Sequence, residues 1–292
     1  MAVSYASGKD LGSRITGGYS APSGLIKCFV AMLIETENYA EKYCGGCVVA
    51  PGNKIVTAAS CLITAYDGPA NSVKFFTGLS GQAGFTNSQF KIKSINAAGD
   101  FIPSSNVSGS DIAVITLENS VTTTSSSYFS SSLEAAKPSV DDKIDSYVGQ
   151  NLVVCGHGFI DNNRTRPGSR GLQCTTLRVV PVAECLAYLP KPATPAPPTA
   201  SASGSTAAPT AAPATIPAPP PKGWICTKNN DDRNVCGGDQ GSPVFSNKTG
   251  QLEFVGVVSF YPDARPNARC RDGHYSFITQ VGAFNELIQN ST

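Results

Sequence analysis

Short apolar runs recur along most of the chain, and Gly, Ser, Asn or Pro interrupts each of them. The clearest are Phe29 to Ile34, Lys54 to Ala58, Ile112 to Leu117, Leu152 to Cys155, Thr175 to Val180, Phe254 to Val258 and Tyr275 to Thr279. Runs this short, rich in β-branched and aromatic residues and bounded by turn formers, predict strands rather than helices. The pattern changes only at the end. Phe284, Leu287 and Ile288 follow Gly282 at helical spacing and predict a short amphipathic closing helix. The chain therefore reads as all-β, with many turns and one terminal helix.

Between Pro190 and Pro221 the pattern disappears into Pro, Ala, Thr and Ser, with almost nothing able to enter a core. Such a composition makes a semi-rigid, solvated spacer that could extend on the order of 100 Å as polyproline. Cys185 and Cys226 bracket it, so we read residues 190–221 as an outsized loop and not as a domain boundary. Closing a long loop costs only about 0.6 kcal/mol per doubling of its length. Four roles stay open for it: a glycosylated stalk, a ligand of proline-binding domains, a steric brush, or a tolerated insertion with no specific partner.

Composition narrows the class further. The apolar fraction of 41% over 292 residues is enough for a substantial core. The formal net charge of +1 gives no broad electrostatic case for nucleic acid. No stretch is long and apolar enough to read as a membrane span. Ten cysteines at spacings unlike paired zinc motifs point to disulfides and an oxidising exterior. Cys44-Gly45-Gly46-Cys47 has the spacing of a metal or redox pair, but no further ligands lie nearby, and we expect no metal and no cofactor. Acceptor motifs for N-glycosylation begin at Asn106, Asn163, Asn247 and Asn290 and fit a secreted protein. Met1 to Arg14 lacks the apolar stretch of a signal peptide. We take residues 1–14 as a pro-segment or tag remnant, with a signal already removed.

Several motifs agree on one family. Arg14-Ile15-Thr16-Gly17-Gly18, Cys44-Gly45-Gly46, Val56-Thr57-Ala58-Ala59-Ser60-Cys61, Ser110-Asp111-Ile112-Ala113, Cys236-Gly237-Gly238-Asp239-Gln240-Gly241-Ser242-Pro243 and Gly256-Val257-Val258-Ser259-Phe260 occur in that order. Together they resemble the trypsin and chymotrypsin family of serine proteases, from Arg14 to about Asn290. The resemblance implies a double six-stranded β-barrel over residues 15–292, and we read the apolar face of the closing helix as packing on the second barrel. It implies an activation junction at Arg14 and Ile15, whose freed amine would sit beside Asp239.

It also places the triad at Ser60, Asp111 and Gln240, and two of those positions carry the wrong chemistry. The family has histidine where Ser60 stands and serine where Gln240 stands. A serine hydroxyl has no basicity near neutral pH, and an amide is neither base nor nucleophile. Asp111 alone keeps its type, and a turn aspartate before a strand would look the same. For a related triad, losing the serine or the histidine costs about 10⁶-fold in rate. The oxyanion donors, at Gly238 and Gln240, are expected to survive. Ser242 lies beyond the nucleophile position and is expected to point away. His157 and His274, the two histidines, match positions that cannot serve Asp111 and read as surface or packing residues.

The specificity pocket by this matching involves Asn234, Phe260, Tyr261 and Gly273, with Asn234 replacing the charge that would select basic side chains and Tyr261 narrowing the mouth. The matching implies disulfides Cys44–Cys61, Cys185–Cys226 and Cys236–Cys270. Cys28, Cys47, Cys155 and Cys174 depart from the common set. Their expected positions on adjacent strands favour Cys28–Cys47 and Cys155–Cys174, with other pairings open.

The sequence thus predicts a secreted, monomeric protease homologue that is not an enzyme and works by binding protein, as a decoy, a cascade cofactor or an inhibitor. Two alternatives stand beside it: an active serine-type endopeptidase with a non-standard catalytic set, and a structural or cell-surface stalk protein.

Overall fold

The computed structural model describes residues 15, 18–22, 24–35, 42–64, 68–69, 72–76, 90–103, 110–122, 125–126, 131–158, 172–189, 223–228, 233–248, 250–260 and 275–292. Residues 1–14 and the Pro-rich segment 190–221 lie outside this set, as do Tyr261, Cys270, Gly273, His274, Asn106 and Asn163.

Two six-stranded β-barrels form the molecule. The first is built from β1 (Phe29–Glu35), β2 (Lys42–Val49), β3 (Lys54–Thr57), β4 (Ser72–Phe76), β5 (Ile92–Ala97) and β6 (Ala113–Leu117), paired antiparallel in the order β4-β1-β2-β3-β6-β5. β1, with the sequence FVAMLIE, is buried from Phe29 through Ile34, so both of its faces are covered and its pattern is continuous rather than alternating. β5 alternates partly buried and exposed positions instead, as an edge strand should.

The second barrel uses β7 (Asn151–Gly156), β8 (Gln173–Val180), β9 (Trp224–Lys228), β10 (Pro243–Ser246), β11 (Glu253–Phe260) and β12 (Tyr275–Gln280). They run in the order β8-β7-β10-β11-β12-β9, and β9 pairs back onto β8. That last pairing closes the sheet and leaves no edge among these six. A two-residue strand at Tyr19–Ser20 is added outside β8.

Disulfides cross-link both barrels. Cys28–Cys47 and Cys44–Cys61 lie in the first, Cys155–Cys174 and Cys185–Cys226 in the second. Cys155 and Cys174 are direct partners across β7 and β8. Cys236 is disulfide-bonded as well, while its expected partner Cys270 is outside the described residues. Cys44 and Cys47, the pair with metal-like spacing, go into different disulfides.

The end of the chain differs from its sequence reading. A 3₁₀ turn covers Val281–Phe284 and the α-helix begins only at Asn285, running to Asn290. The end of this helix is hydrogen-bonded to the first barrel, whereas the sequence reading placed the helix on the second. Lys54 Nζ on β3 donates to the carbonyls of Ile288 and Gln289 at 2.9 and 2.6 Å, and Ser94 Oγ on β5 donates to Thr292 O at 2.6 Å. Ile288 joins a core cluster made mostly of first-barrel residues. The last carbonyls of a helix lack intrahelical donors, and an ammonium placed there satisfies them and complements the helix dipole.

Candidate functional site

Three local structures bring the triad positions to the junction of the barrels. Ser60 sits in the one-turn helix α1 (Ala59–Leu62), whose Ala58 N-cap has no side-chain hydrogen bond. The first N–H groups of a helix need outside acceptors. Asp111, just before β6, supplies one: its Oδ1 accepts the Ser60 backbone N–H at 2.7 Å. Cys61 next to Ser60 is tied to Cys44 on β2, so α1 is fixed from two sides.

The other carboxylate oxygen of Asp111 accepts from Ser60 Oγ at 2.9 Å and from Ser259 Oγ at 2.6 Å. Ser259 reaches it because the register of β11 against β12 slips between Val258 and Phe260. The extra residue in that bulge is Ser259, and a bulge re-aims a side chain that would otherwise follow the ladder. Asp111 is 4% exposed. Its pKa is raised, chiefly by burial, against the lowering effects of the hydrogen bonds from Ser259 and Ser60 and of the Lys42 charge.

Lys42 and Ser259 were not singled out by their chemistry in the sequence. Lys42 Nζ donates to the Ser60 carbonyl at 2.6 Å. The signal was there: Lys42 lies two residues before Cys44 on a strand, hence on the same face, and Cys44 is bound to the neighbour of Ser60.

The segment Cys236 to Ser242 makes the opposite wall. Asp239 is fully buried, with Oδ1 accepting from Gly158 N at 2.8 Å and Oδ2 from Cys236 N at 2.9 Å. The carbonyl of Gln240 accepts from Gly45 N on β2 at 2.8 Å, and Gly241 N donates to Val258 O at 2.7 Å. Gly238 has φ +87°, a left-handed conformation that favours glycine. Its N–H, expected to be an open oxyanion donor, donates instead to Gln240 Oε1 at 2.9 Å. The physical reason is reach: a glutamine side chain is long enough to bend back onto a donor two residues earlier, and serine is not.

Other predicted positions fall as follows. Ile15 is fully buried with Leu152, Val154 and Val235 in the second-barrel core, and its φ of 53° is unusual for a β-branched residue. Arg14 lies outside the described residues. Asn234 is buried, and its Oδ1 accepts from Ser276 Oγ and from Val235 N. Asn234, expected at the pocket floor, is uncharged and its amide oxygen is engaged by these two donors. The Phe260 ring stacks on Phe277 at 4.4 Å between centroids. Ser242 is fully buried and its Oγ has no hydrogen-bond partner, packed where Gly45 and Gly156 leave room. His157 is buried, and the glycines on either side of it pack against the Asp239 carboxylate. Asn247 and Asn290 are exposed.

The barrels, the order of the motifs and the match of residues 15–288 to the family described as Trypsin converge on one assignment. The chain belongs to the trypsin family. Among solved structures this trypsin-family chain is similar to HL collagenase, with a TM-score of 0.63 and 20% identity over 94% of this chain and 97% of the other. It is also similar to the scabies mite inactivated protease paralogue S-I1, with a TM-score of 0.61 and 19% identity over the same shares. At these identities the likeness carries the fold alone. A search of the curated proteins finds no match. No helix among the described residues is long and apolar enough to cross a membrane.

Chemically, the described residues of the site keep a carboxylate, Asp111, held by donors from both barrels. Ser60 spends its O–H on Asp111. Gln240 folds its amide oxygen onto the Gly238 N–H.

Proposed function

We propose that this trypsin-family protein is a secreted, glycosylated homologue that does not cleave peptide bonds and acts by binding another protein, as a decoy, a cascade cofactor or an inhibitor of another enzyme. The observation that carries the reading is the pair of substitutions in their observed geometry. Ser60 is held to Asp111 in the place of a general base, and Gln240 is folded onto Gly238 in the place of a nucleophile. Acyl transfer needs a nucleophile, a base and open oxyanion donors together, and each of the three is changed here. The similarity in fold to a mite protein described as an inactivated protease paralogue is compatible with this reading. The disulfides fit an oxidising compartment.

Two measurements test it. Purified protein incubated with a peptide library is expected to release no cleavage products above buffer once contaminating proteases are inhibited. Immobilised protein exposed to extracellular fluid of its source is expected to retain a specific partner. Turnover in the first, or no partner above background in the second, counts against the proposal.

A further inference from the structure

The exchange at position 240 does more than remove an oxygen nucleophile. The turn that carries the Gly238 N–H is fixed by contacts that owe nothing to the Gln240 side chain. Asp239 clamps it through Gly158 N and Cys236 N, Gly45 N holds the Gln240 carbonyl, and Gly241 N bonds Val258 O. A donor held in this way keeps its direction whether or not an acceptor is present, and it gains from any acceptor that arrives. In this chain the acceptor is built in. The atom facing Gly238 at 2.9 Å must be the amide oxygen, because a backbone N–H can only donate. A tethered acceptor two residues away competes with free ligands at an effective concentration of about millimolar or more.

We propose that Gln240 is an internal ligand of the oxyanion site and bars it to the carbonyl or carboxylate group of a peptide. A partner that engages this face then does so without threading its main chain in the register of a substrate. Reach decides which residues can fill this role. Two methylenes bring the amide back to Gly238, and a shorter side chain leaves the donor open. This deepens the non-catalytic reading above and rests on it only for its biological meaning. The test uses the isolated full chain and needs no partner, so failure of the binding proposal and failure of this one are separate results.

The experiment follows the Gly238 amide by ¹⁵N NMR, with N-acetyl-leucine as a peptide-like carboxylate probe titrated through the millimolar range. In the wild type, the Gly238 amide is expected to exchange slowly and not to move with the probe. In Gln240→Ala it is expected to exchange about tenfold faster, the size of one net hydrogen bond, and to shift saturably with the probe. Gln240→Asn, one methylene shorter, should behave like the alanine variant and replaces it if that variant does not fold. Gln240→Glu keeps both length and acceptor and should keep exchange slow. The proposal is overturned if the wild type binds the probe as well as the shortened variants, if the shortened variants fail to bind it, or if exchange is the same in all four proteins.

Discussion

Asp111 is a carboxylate with three donors from two residues, Ser60 and Ser259, and little contact with water, and its behaviour with pH follows from that. Burial is the leading cause of its pKa lying above the ordinary 3.8, and the hydrogen bonds from Ser259 and Ser60 only moderate it. The folded protein therefore binds this proton more tightly than the unfolded chain does. The stability contributed by that difference is full below about 3.8 and is lost as pH rises through the higher folded value. Asp111→Asn removes the titration while keeping an acceptor for the Ser60 backbone N–H. Urea unfolding between about pH 4 and pH 7 should show the wild type losing stability relative to Asp111→Asn as pH rises. A constant difference across that range would refute the assignment of the shift to this group.

At the scale of elements, the barrels meet where glycines let backbone approach backbone. A Cβ on Gly45 would fall 2.7 Å from Ser242 Cα and 2.9 Å from Ser242 N, atoms that cannot rotate away. Gly45→Ala should therefore push β2 from the nucleophile-position turn and cost about 3 kcal/mol or more in urea unfolding. Gly99→Ala, where nothing lies within 4 Å of the added carbon, is the control and should change stability by less than about 0.5 kcal/mol. The closing helix gives a second test. Lys54 ties its last carbonyls to β3, so Lys54→Met should cost about 1 kcal/mol. It should also speed amide exchange in the terminal helix while leaving the second barrel unchanged. An effect on the second barrel instead would argue against the observed docking.

For the molecule as a whole, the hydrogen bonds that frame Ser60 and Gln240 draw on both barrels. Asp111 still takes the Ser60 N–H and the Ser259 hydroxyl, and the turn at Gly238 is still clamped. Ser60→His with Gln240→Ser should accordingly acquire peptide hydrolysis and labelling by a fluorophosphonate, with each single variant near the wild-type background. Removing either group from a working triad costs about 10⁶-fold, so the double variant has a wide range in which to show a gain. No gain would mean that the site is altered beyond these two positions. The strand-forming runs, the order of the motifs and the identities of Ser60 and Gln240 were legible in the sequence because they are local: alternation, turn residues and residue type need no third dimension. The side of the molecule on which the last helix docks was not, because Phe284, Leu287 and Ile288 announce an apolar face without naming its partner, and Lys54 announces a charge without naming a carbonyl. The same holds inside the site. That Ser259 would reach Asp111 depended on a bulge in β11, and that Gln240 would close on Gly238 depended on a turn clamped from both barrels. The sequence by itself determined which chemical groups are present and which are missing. Only the tertiary structure decided which donor meets which acceptor, because hydrogen bonding depends on distance and direction between segments far apart in the chain.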